Sequence, residues 1–262
     1  REAATAAGAI VHFVASKGKG WAIRSIFREI DADIYLMVDG DDTYPAEKAR
    51  ELTSVVLEGK ADMVVATRLS QYHQQAFRRL HVFGNNLILK SINVLFNSKL
   101  SDVLSGYRAF SRRFVKTIPV LSKGFEVETE MTLHALENGL VIHEVPVPYG
   151  HRPDGSESKL NTFSDGWRVL KTIFWIFKDY RPLLFFGLAG LVIFIVGLIF
   201  GAVVINEFTA TSKVIHPSTA VLSVGLCTVG LLSITTGLIL DTLNRRSREQ
   251  YVLLADHIIS NL

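Results

Sequence analysis

The sequence predicts an α/β domain with a mainly parallel sheet, followed by a two-helix membrane hairpin. The α/β prediction rests on short apolar runs that alternate with helical stretches of about 10 to 15 residues, the pattern of βαβ units. The hairpin prediction rests on two uncharged apolar runs, 183–205 and 219–240, each long enough to cross about 30 Å of hydrocarbon. A cluster of carboxylates directly after one apolar run indicates where the domain carries out its chemistry.

The composition divides the chain into two parts that need different solvents. Hydrophobic residues make up 48% of the 262 residues and the mean hydropathy is +0.27, both high for an ordinary soluble domain. Residues 1–160 have a normal globular mixture, and the apolar excess begins at 183. The formal net charge of +3 is modest and forms no basic stripe, so we expect no nucleic-acid partner. The single cysteine, Cys227, excludes an intrachain disulfide.

The elements of the first domain are predicted from apolar runs and from glycine and proline boundaries. Residues 1–8 predict a helix closed by Gly8, and residues 9–15 predict a strand. Further strands are predicted at 34–38, 61–66 and 141–147, the last at a sheet edge, and a turn followed by a strand is predicted over 102–110. Further helices are predicted at 21–30, 45–58, 80–96 and from 124 onward.

The carboxylate cluster follows the predicted strand 34–38. Asp39 and Asp41 flank Gly40, and their hard oxygens suit Mg²⁺ or Mn²⁺ carried in by a diphosphate. A solvated acidic turn is the alternative interpretation. The preceding apolar strand is a poor setting for carboxylates without a partner, so the pattern favours a metal clamp.

Two basic residues are candidate phosphate ligands in the same domain. Lys19 lies between two glycines before a predicted helix, where backbone N–H groups and a lysine can approach a phosphate. The spacing is not that of a P-loop, and a plain loop is the alternative. Arg68 follows the strand 61–66, at the sheet edge where Asp39 is expected, and its alternative role is an exposed salt bridge.

The helix that begins near residue 124 has an unusually acidic first turn. Glu126, Glu128 and Glu130 fall within five residues. The helix dipole favours acidic side chains at this end, but three glutamates are more than capping requires. We therefore expect at least one of them to serve the site.

The membrane part begins after a loop rich in proline, glycine and serine at 151–159. Arg152 and Lys159 of this loop are expected at the lipid headgroups, followed by an amphipathic interfacial helix over 161–182; a buried core helix is the alternative. Gly197 and Gly201 are spaced for close packing of the two spans. A tail over 241–262 is expected to pack on the catalytic domain or on another subunit.

The positive charges predict the orientation of the hairpin. The connecting loop, 206–218, contains one lysine, whereas basic residues lie on both flanks of the spans. By the positive-inside rule the loop is extracytoplasmic, and the catalytic domain and both termini are cytoplasmic.

Taken together, these motifs resemble the family 2 glycosyltransferases, specifically the polyprenyl-phosphate sugar synthases of the dolichol-phosphate mannose synthase type. The resemblance extends over essentially the whole chain. It is carried, in order, by Gly18-Lys19-Gly20, Asp39-Gly40-Asp41 with Thr43 and Pro45, Ser105-Gly106-Tyr107-Arg108, the glutamates 126 to 130, and Arg152 with Ser158-Lys159. It implies a GT-A, Rossmann-like fold, a divalent metal, a nucleotide-diphosphate sugar as donor and a polyprenyl phosphate as acceptor.

The resemblance also implies roles for individual residues in an inverting hexosyl transfer at the cytoplasmic face. Catalysis is assigned to Asp39, Asp41 and Arg152, and the metal, Mg²⁺ or Mn²⁺, to Asp39, Asp41 and Thr43. Donor binding is assigned to Lys19, Gly40, Asp41, Arg108, Glu126 and Glu128. Binding of the lipid phosphate is assigned to Arg68, Arg79, Arg152, Ser158 and Lys159. A homo-oligomer is expected.

The chain departs from the family pattern in two places. The family's first strands, with a Pro-x-(Tyr/Phe)-Asn-Glu motif and an Asp-Asp-(Gly/Ser) turn, have no counterpart, so we expect domain 1–160 to be N-terminally incomplete. Thr43 stands where the family often has Gln. Two other functions are weighed: a processive polysaccharide synthase, disfavoured because the Gln-x-x-Arg-Trp motif is absent, and a non-catalytic membrane-anchoring subunit.

Overall fold

The computed structural model of the chain describes residues 2–68, 78–122, 124, 126–150 and 162–260; at 78–83, 162–170, 256, 258 and 259 it describes the backbone alone. The chain divides into two compact units. One comprises Arg1–Val169 and Tyr251–Leu262, and the other comprises Leu170–Gln250.

The helices and strands lie close to the predicted positions. In the described ranges the helices are α1 (Glu2–Ala6), α2 (Lys19–Glu29), α3 (Ala49–Leu57), α4 (Arg78–Phe96), α5 (Arg112–Thr117), α6 (Val127–Glu137), α7 (Thr162–Tyr180), α8 (Pro182–Thr211) and α9 (Pro217–Ser260). The strands are β1 (Ile34–Met37), β2 (Met63–Thr67), β3 (Arg108–Ser111) and β4 (Ile142–Pro146). A 3-10 turn, Ala46–Lys48, leads into α3. Helix α5 lies outside the sequence-based predictions and is capped at its N-terminus by Ser111, whose hydroxyl accepts the Phe114 N–H.

The four described strands form one mixed sheet in the order β1-β3-β2-β4. Strands β1, β2 and β4 run in one direction, as expected for a mainly parallel sheet. Strand β3 is inserted between β1 and β2 and is antiparallel to both, so β2 and β4 form the parallel pair among those described. Strands β1 and β2 are thus separated by β3 in the sheet, although α3 connects them in the chain. The insertion of β3 brings the turn before it, 102–107, to the same sheet edge as the carboxylate cluster.

Strand β2 lies at the centre of the domain and all five of its residues are buried. Successive side chains of a strand point to opposite faces of the sheet. Met63 and Val65 accordingly pack with α2, α5 and α6, whereas Val64 and Ala66 pack against α3 on the other face. The two cores hold the sheet rigidly beneath its carboxyl edge.

The strand predicted over 9–15 is wrong. These residues have no strand assignment, and the side chains of Ile10 and Phe13 are 97% and 75% exposed. An apolar segment becomes a strand only when a neighbouring strand takes up its backbone hydrogen bonds. No strand in the described ranges pairs with it.

The second unit contains an antiparallel pair of apolar helices. Helix α8 and the Pro217–Ala255 part of α9 are the helices of the described chain that are long and apolar enough to cross a membrane, which indicates membrane association. The predicted segment 219–240 and the described part of the predicted tail, 241–260, lie in one helix, since α9 continues without interruption to Ser260. The predicted interfacial segment corresponds to α7.

Small residues allow the two apolar helices to approach closely. A Cβ on Gly190 would lie 2.6 Å from the carbonyl oxygen of Gly230, and a Cβ on Gly197 would lie 2.8 Å from the amide nitrogen of Cys227. The Ser223 hydroxyl donates to the Gly197 carbonyl at 2.8 Å and lies 2.8 Å from a Cβ built on Gly201. The predicted close packing at Gly197 and Gly201 is confirmed.

The end of α9 packs on the first unit, to which it belongs. The Tyr251 hydroxyl donates to the Thr117 hydroxyl at 2.8 Å, and its ring packs against the core formed by α2, α5 and α6. At Tyr251 the tail therefore packs on the first unit, and the packing of the rest of the tail stays a prediction.

Candidate active site

The centre of the candidate site is an ion cluster at the carboxyl end of β1. Asp39 follows this strand, Lys19 begins α2, and Glu128 lies in the first turn of α6. The Lys19 ammonium donates to Asp39 Oδ1 at 2.5 Å and also to Glu128 Oε1. Each of these three residues carries a separate signal in the sequence, and Lys19 and Glu128 are 109 positions apart in the chain. The fold brings all three together at one point.

Burial makes this cluster electrostatically strong. The side chains of Lys19 and Glu128 are 18% and 5% exposed, whereas that of Asp39 is 34% exposed. Burial alone would lower the pKa of Lys19, but its hydrogen bonds to Asp39 and Glu128 raise this pKa above the usual value. The lysine stays protonated, so a fixed positive charge lies beside the partly exposed aspartate.

The second aspartate is held by its own turn. Asp41 Oδ1 accepts the Thr43 hydroxyl at 2.6 Å and the Thr43 amide at 3.4 Å. Asp42 between them adopts a left-handed conformation with φ of 57°, which Asp tolerates better than most residues. Thr43 is 2% exposed, so its hydroxyl orients Asp41 from beneath. A Cβ on Gly40 would meet no atom within 4 Å, so the space beside the turn is open.

A six-residue turn before β3, Asp102–Tyr107, contacts most of the site. A Cβ on Gly106 would overlap the carboxylate of Asp39, whose Cγ lies 2.7 Å from that position. The Gly106 amide donates to the Tyr44 hydroxyl at 3.3 Å, and this hydroxyl lies 3.2 Å from the Ser105 hydroxyl. The turn therefore sets the position of Asp39 from one side, as Lys19 does from the other.

Arg108 holds this turn from inside the core. The residue has no exposed surface, and its guanidinium donates to the carbonyls of Ser105 and Val103, each at 2.8 Å, and to the Thr132 hydroxyl at 2.9 Å. Burial lowers the pKa of Arg108 to about 10, against the opposing charge of Glu128. These contacts fit a structural role beneath the site better than the direct donor contact expected from the sequence.

Arg68 lies at the end of β2 and pairs with the turn before β3. Its Nε and Nη2 donate to the two oxygens of Asp102, at 2.8 and 3.0 Å. Its guanidinium carbon lies 5.6 Å from the centre of the Tyr149 ring, and that ring meets the Tyr44 ring at 5.2 Å. Arg68 thus forms a salt bridge, the alternative role considered for it. The pair is partly buried, since the side chains of Arg68 and Asp102 are 19% and 11% exposed.

The three glutamates of the acidic helix turn have different positions. Glu128 is part of the ion cluster, whereas Glu126 is exposed and precedes α6. Glu130 accepts the amides of Leu121 and Ser122, each at 2.9 Å, and so ties down the preceding loop. The acidity of this turn therefore serves both the site and the fold.

Four predicted acceptor residues cannot be placed. Arg152, Ser158 and Lys159 lie outside the described residues, and only the backbone of Arg79 is described, at the start of α4.

A metal at this site would be held by few protein ligands. Among the described residues no group of three histidine, cysteine or carboxylate side chains is arranged to hold an ion. Magnesium, however, usually keeps several waters and binds one or two carboxylates together with substrate phosphates. Asp39 and Asp41 both follow β1, and two carboxylates together with substrate phosphates are the kind of donor set that Mg²⁺ uses.

The sequence analysis missed Asp102, Tyr44 and Tyr149 as parts of the site. The Ser105-Gly106 motif carried the resemblance, but nothing local in the sequence indicates that Gly106 contacts Asp39 or that Asp102 meets Arg68. Both contacts depend on the insertion of β3 between β1 and β2.

Comparison with known proteins gives relatives over most of the chain. Residues 7–118 match the family model described as Glycosyl transferase family 2. Glycosyltransferase AglJ of Haloferax volcanii is 33% identical over 251 residues, which cover 95% of this chain and 82% of that protein. A dolichyl-phosphate hexose transferase of the same organism is 27% identical over 157 residues, which cover 60% of this chain and 67% of that protein.

Solved structures share the fold over about two thirds of this chain. Glucosyl-3-phosphoglycerate synthase of Mycobacterium tuberculosis superposes with a TM-score of 0.51 at 20% identity, over 65% of this chain and 62% of that one. The match therefore spans less than two thirds of that enzyme, and at this identity it speaks to the fold alone.

Proposed function

Because the chain belongs to glycosyl transferase family 2 and has a GT-A-like fold, we propose that it transfers a hexose from a nucleotide-diphosphate sugar to a polyprenyl phosphate, with inversion at the anomeric carbon. The observation that carries the proposal is the cluster of Lys19, Asp39 and Glu128 at the carboxyl end of β1. The name of the dolichyl-phosphate hexose transferase relative supports a lipid phosphate as acceptor.

The donor diphosphate is proposed to bind at the open side of the acidic turn. Asp39 and Asp41 would hold Mg²⁺ or Mn²⁺, which when bound neutralises the departing diphosphate as a Lewis acid. Thr43 holds Asp41 in orientation through its hydroxyl. The absence of a side chain at Gly40 leaves room for the donor.

Lys19 and the acidic helix turn complete the donor site in this proposal. The protonated ammonium of Lys19 lies 2.5 Å from Asp39, where it adds positive charge beside the leaving group. Glu128 fixes that ammonium from the buried side. Glu126 is exposed at the N-terminal end of α6 and is proposed to contact sugar hydroxyls.

The acceptor needs positioning more than activation. A lipid phosphate is already anionic near neutral pH, so its oxygen attacks without a strong general base. Among the residues whose side chains are described, Arg68 is proposed to hold the acceptor phosphate. Four further residues are proposed to complete the phosphate site: Arg79, Arg152, Ser158 and Lys159.

The membrane placement is proposed from the charge pattern. Lys171, Lys178 and Arg181 precede α8, and three arginines at 245, 246 and 248 follow the apolar part of α9, whereas the connecting loop contains Lys213. This asymmetry supports a cytoplasmic catalytic domain with an extracytoplasmic hairpin tip.

The proposal is tested by transfer assays on the full chain in nanodiscs, with GDP-mannose or UDP-glucose as donor and polyprenyl phosphate as acceptor. Asp41→Asn keeps an oxygen that can accept from Thr43, so the turn should fold while lipid-linked product falls by at least about 100-fold. Asp42→Asn is the matched control, since Asn also tolerates a left-handed φ. Normal turnover of Asp41→Asn, or no lipid-linked sugar from the wild-type chain with any nucleotide sugar, would overturn the proposal.

A further inference from the structure

The Arg68–Asp102 pair is built more precisely than a surface salt bridge. Two parallel hydrogen bonds join Nε and Nη2 of Arg68 to the two carboxylate oxygens at 2.8 and 3.0 Å, and the Arg68 amide lies 3.4 Å from the same carboxylate. Such a two-bond pair fixes the plane of the guanidinium and hence the direction of all of its N–H groups.

Asp102 is itself held in place from both sides. Its Oδ1 accepts the Leu104 amide at 2.9 Å, which closes the turn onto the carboxylate. Its backbone N–H donates to Glu144 at 3.0 Å, and Glu144 on β4 also accepts the amide and hydroxyl of Ser101, each at 2.8 Å. The carboxylate is thus anchored by the turn that contains it, and the backbone of Asp102 is anchored to β4.

The pair also remains charged. Burial alone would raise the pKa of Asp102, but the hydrogen bonds and positive charge of Arg68 hold this pKa below its usual range. On its other side the arginine packs on Tyr149, two residues before the loop that contains Arg152.

We propose that Asp102 is a positioning residue for the lipid-phosphate site: it holds Arg68 in the orientation that receives the acceptor phosphate, without contacting the substrate itself. The proposal rests on the function proposed above and deepens it. Asp102 partly neutralises the charge of Arg68, so it does not strengthen the attraction of Arg68 for a phosphate. The contribution of Asp102 to acceptor binding is the orientation of the guanidinium. Loss of Asp102 should therefore weaken binding of the acceptor and leave binding of the donor unchanged.

The test measures binding of polyprenyl phosphate and of nucleotide sugar to the full chain in nanodiscs. In Asp102→Asn the N–H donors of the new amide face the N–H donors of Arg68 or Leu104, so the guanidinium loses its fixed orientation. We therefore expect the affinity for polyprenyl phosphate to fall about 10- to 100-fold. Donor affinity should change less than about twofold. Asp62→Asn is the matched control, because this carboxylate accepts from Ser111 and Val141 at the opposite end of β2.

A double-mutant cycle separates positioning from a general structural effect. If Asp102 acts through Arg68, adding Asp102→Asn to Arg68→Ala should weaken acceptor binding by less than about twofold more. Multiplicative losses in the double variant, or an equal loss of donor affinity in Asp102→Asn, would overturn the inference.

A second variant keeps the inference testable if Asp102→Asn fails to fold. Arg68→Lys retains the charge but cannot form the two parallel hydrogen bonds, so it should lose acceptor affinity nearly as much as Arg68→Ala. Acceptor binding of Arg68→Lys at the wild-type level would overturn the inference. If the wild-type chain binds no polyprenyl phosphate, the proposed function falls as well; wild-type binding with unchanged affinity in Asp102→Asn removes the positioning role alone.

Discussion

Substitution of Gly106 by alanine should inactivate the site while leaving the fold intact. A Cβ at this position would lie 2.7 Å from Cγ of Asp39 and closer still to one of its oxygens. To reach an ordinary van der Waals contact of 3.4 Å, the nearer carboxylate oxygen, Oδ2, has to retreat by more than about 1 Å. The Asp39 side chain is 34% exposed and can rotate toward solvent, so the cost to stability is small.

The cost to catalysis is expected to be large, because the same carboxylate carries the hydrogen bond to Lys19 and is the proposed metal ligand. A misplacement of about 1 Å in a catalytic constellation can reduce the rate by about 100-fold, equivalent to about 2.7 kcal/mol of transition-state stabilisation. We expect Gly106→Ala to lower kcat by this factor and to weaken Mn²⁺ binding measured by titration in the presence of the nucleotide, with little change in Tm.

Gly225→Ala provides the control, since a Cβ there would meet no atom within 4 Å. Wild-type turnover and wild-type Mn²⁺ affinity in a folded Gly106→Ala variant would refute the reasoning that the turn before β3 positions Asp39. A large drop in Tm would instead show that the turn stabilises the fold.

Three further predictions concern the acceptor loop, the tail and the topology. Arg152→Ala should raise the KM for polyprenyl phosphate with little change in the KM for the donor; an effect on the donor alone would contradict its acceptor role. Tyr251→Phe removes the hydrogen bond to Thr117 and should lower the free energy of unfolding, measured by denaturant titration, by about 0.5 to 1.5 kcal/mol. An unchanged free energy of unfolding would indicate that the tail is not anchored at this residue. A cysteine at Thr211 should react with an impermeant label from outside intact cells, and one at Ser247 only after permeabilisation; the reverse pattern would contradict a cytoplasmic site.

The local patterns of the sequence were sufficient for much of the architecture. The apolar runs located strands β1, β2 and β4 and the two apolar helices, because burial and helix length leave a periodic or continuous apolar signal in the chain. The acidic turn after β1 is recognisable as a candidate site because carboxylates beside a buried strand need partners. The segment 9–15 shows the limit, because an apolar run alone does not provide a neighbouring strand.

The arrangement of the site was decided by the tertiary structure. Lys19, Asp39 and Glu128 each carry a weak local signal, and only the packing of α2 and α6 on the same sheet brings them together. Arg108 looked like a donor ligand in sequence, yet the fold buries it under the turn before β3. Local patterns record burial and chain direction, whereas strand order and long-range contacts depend on the free energy of the whole packed domain, which short segments do not encode separately.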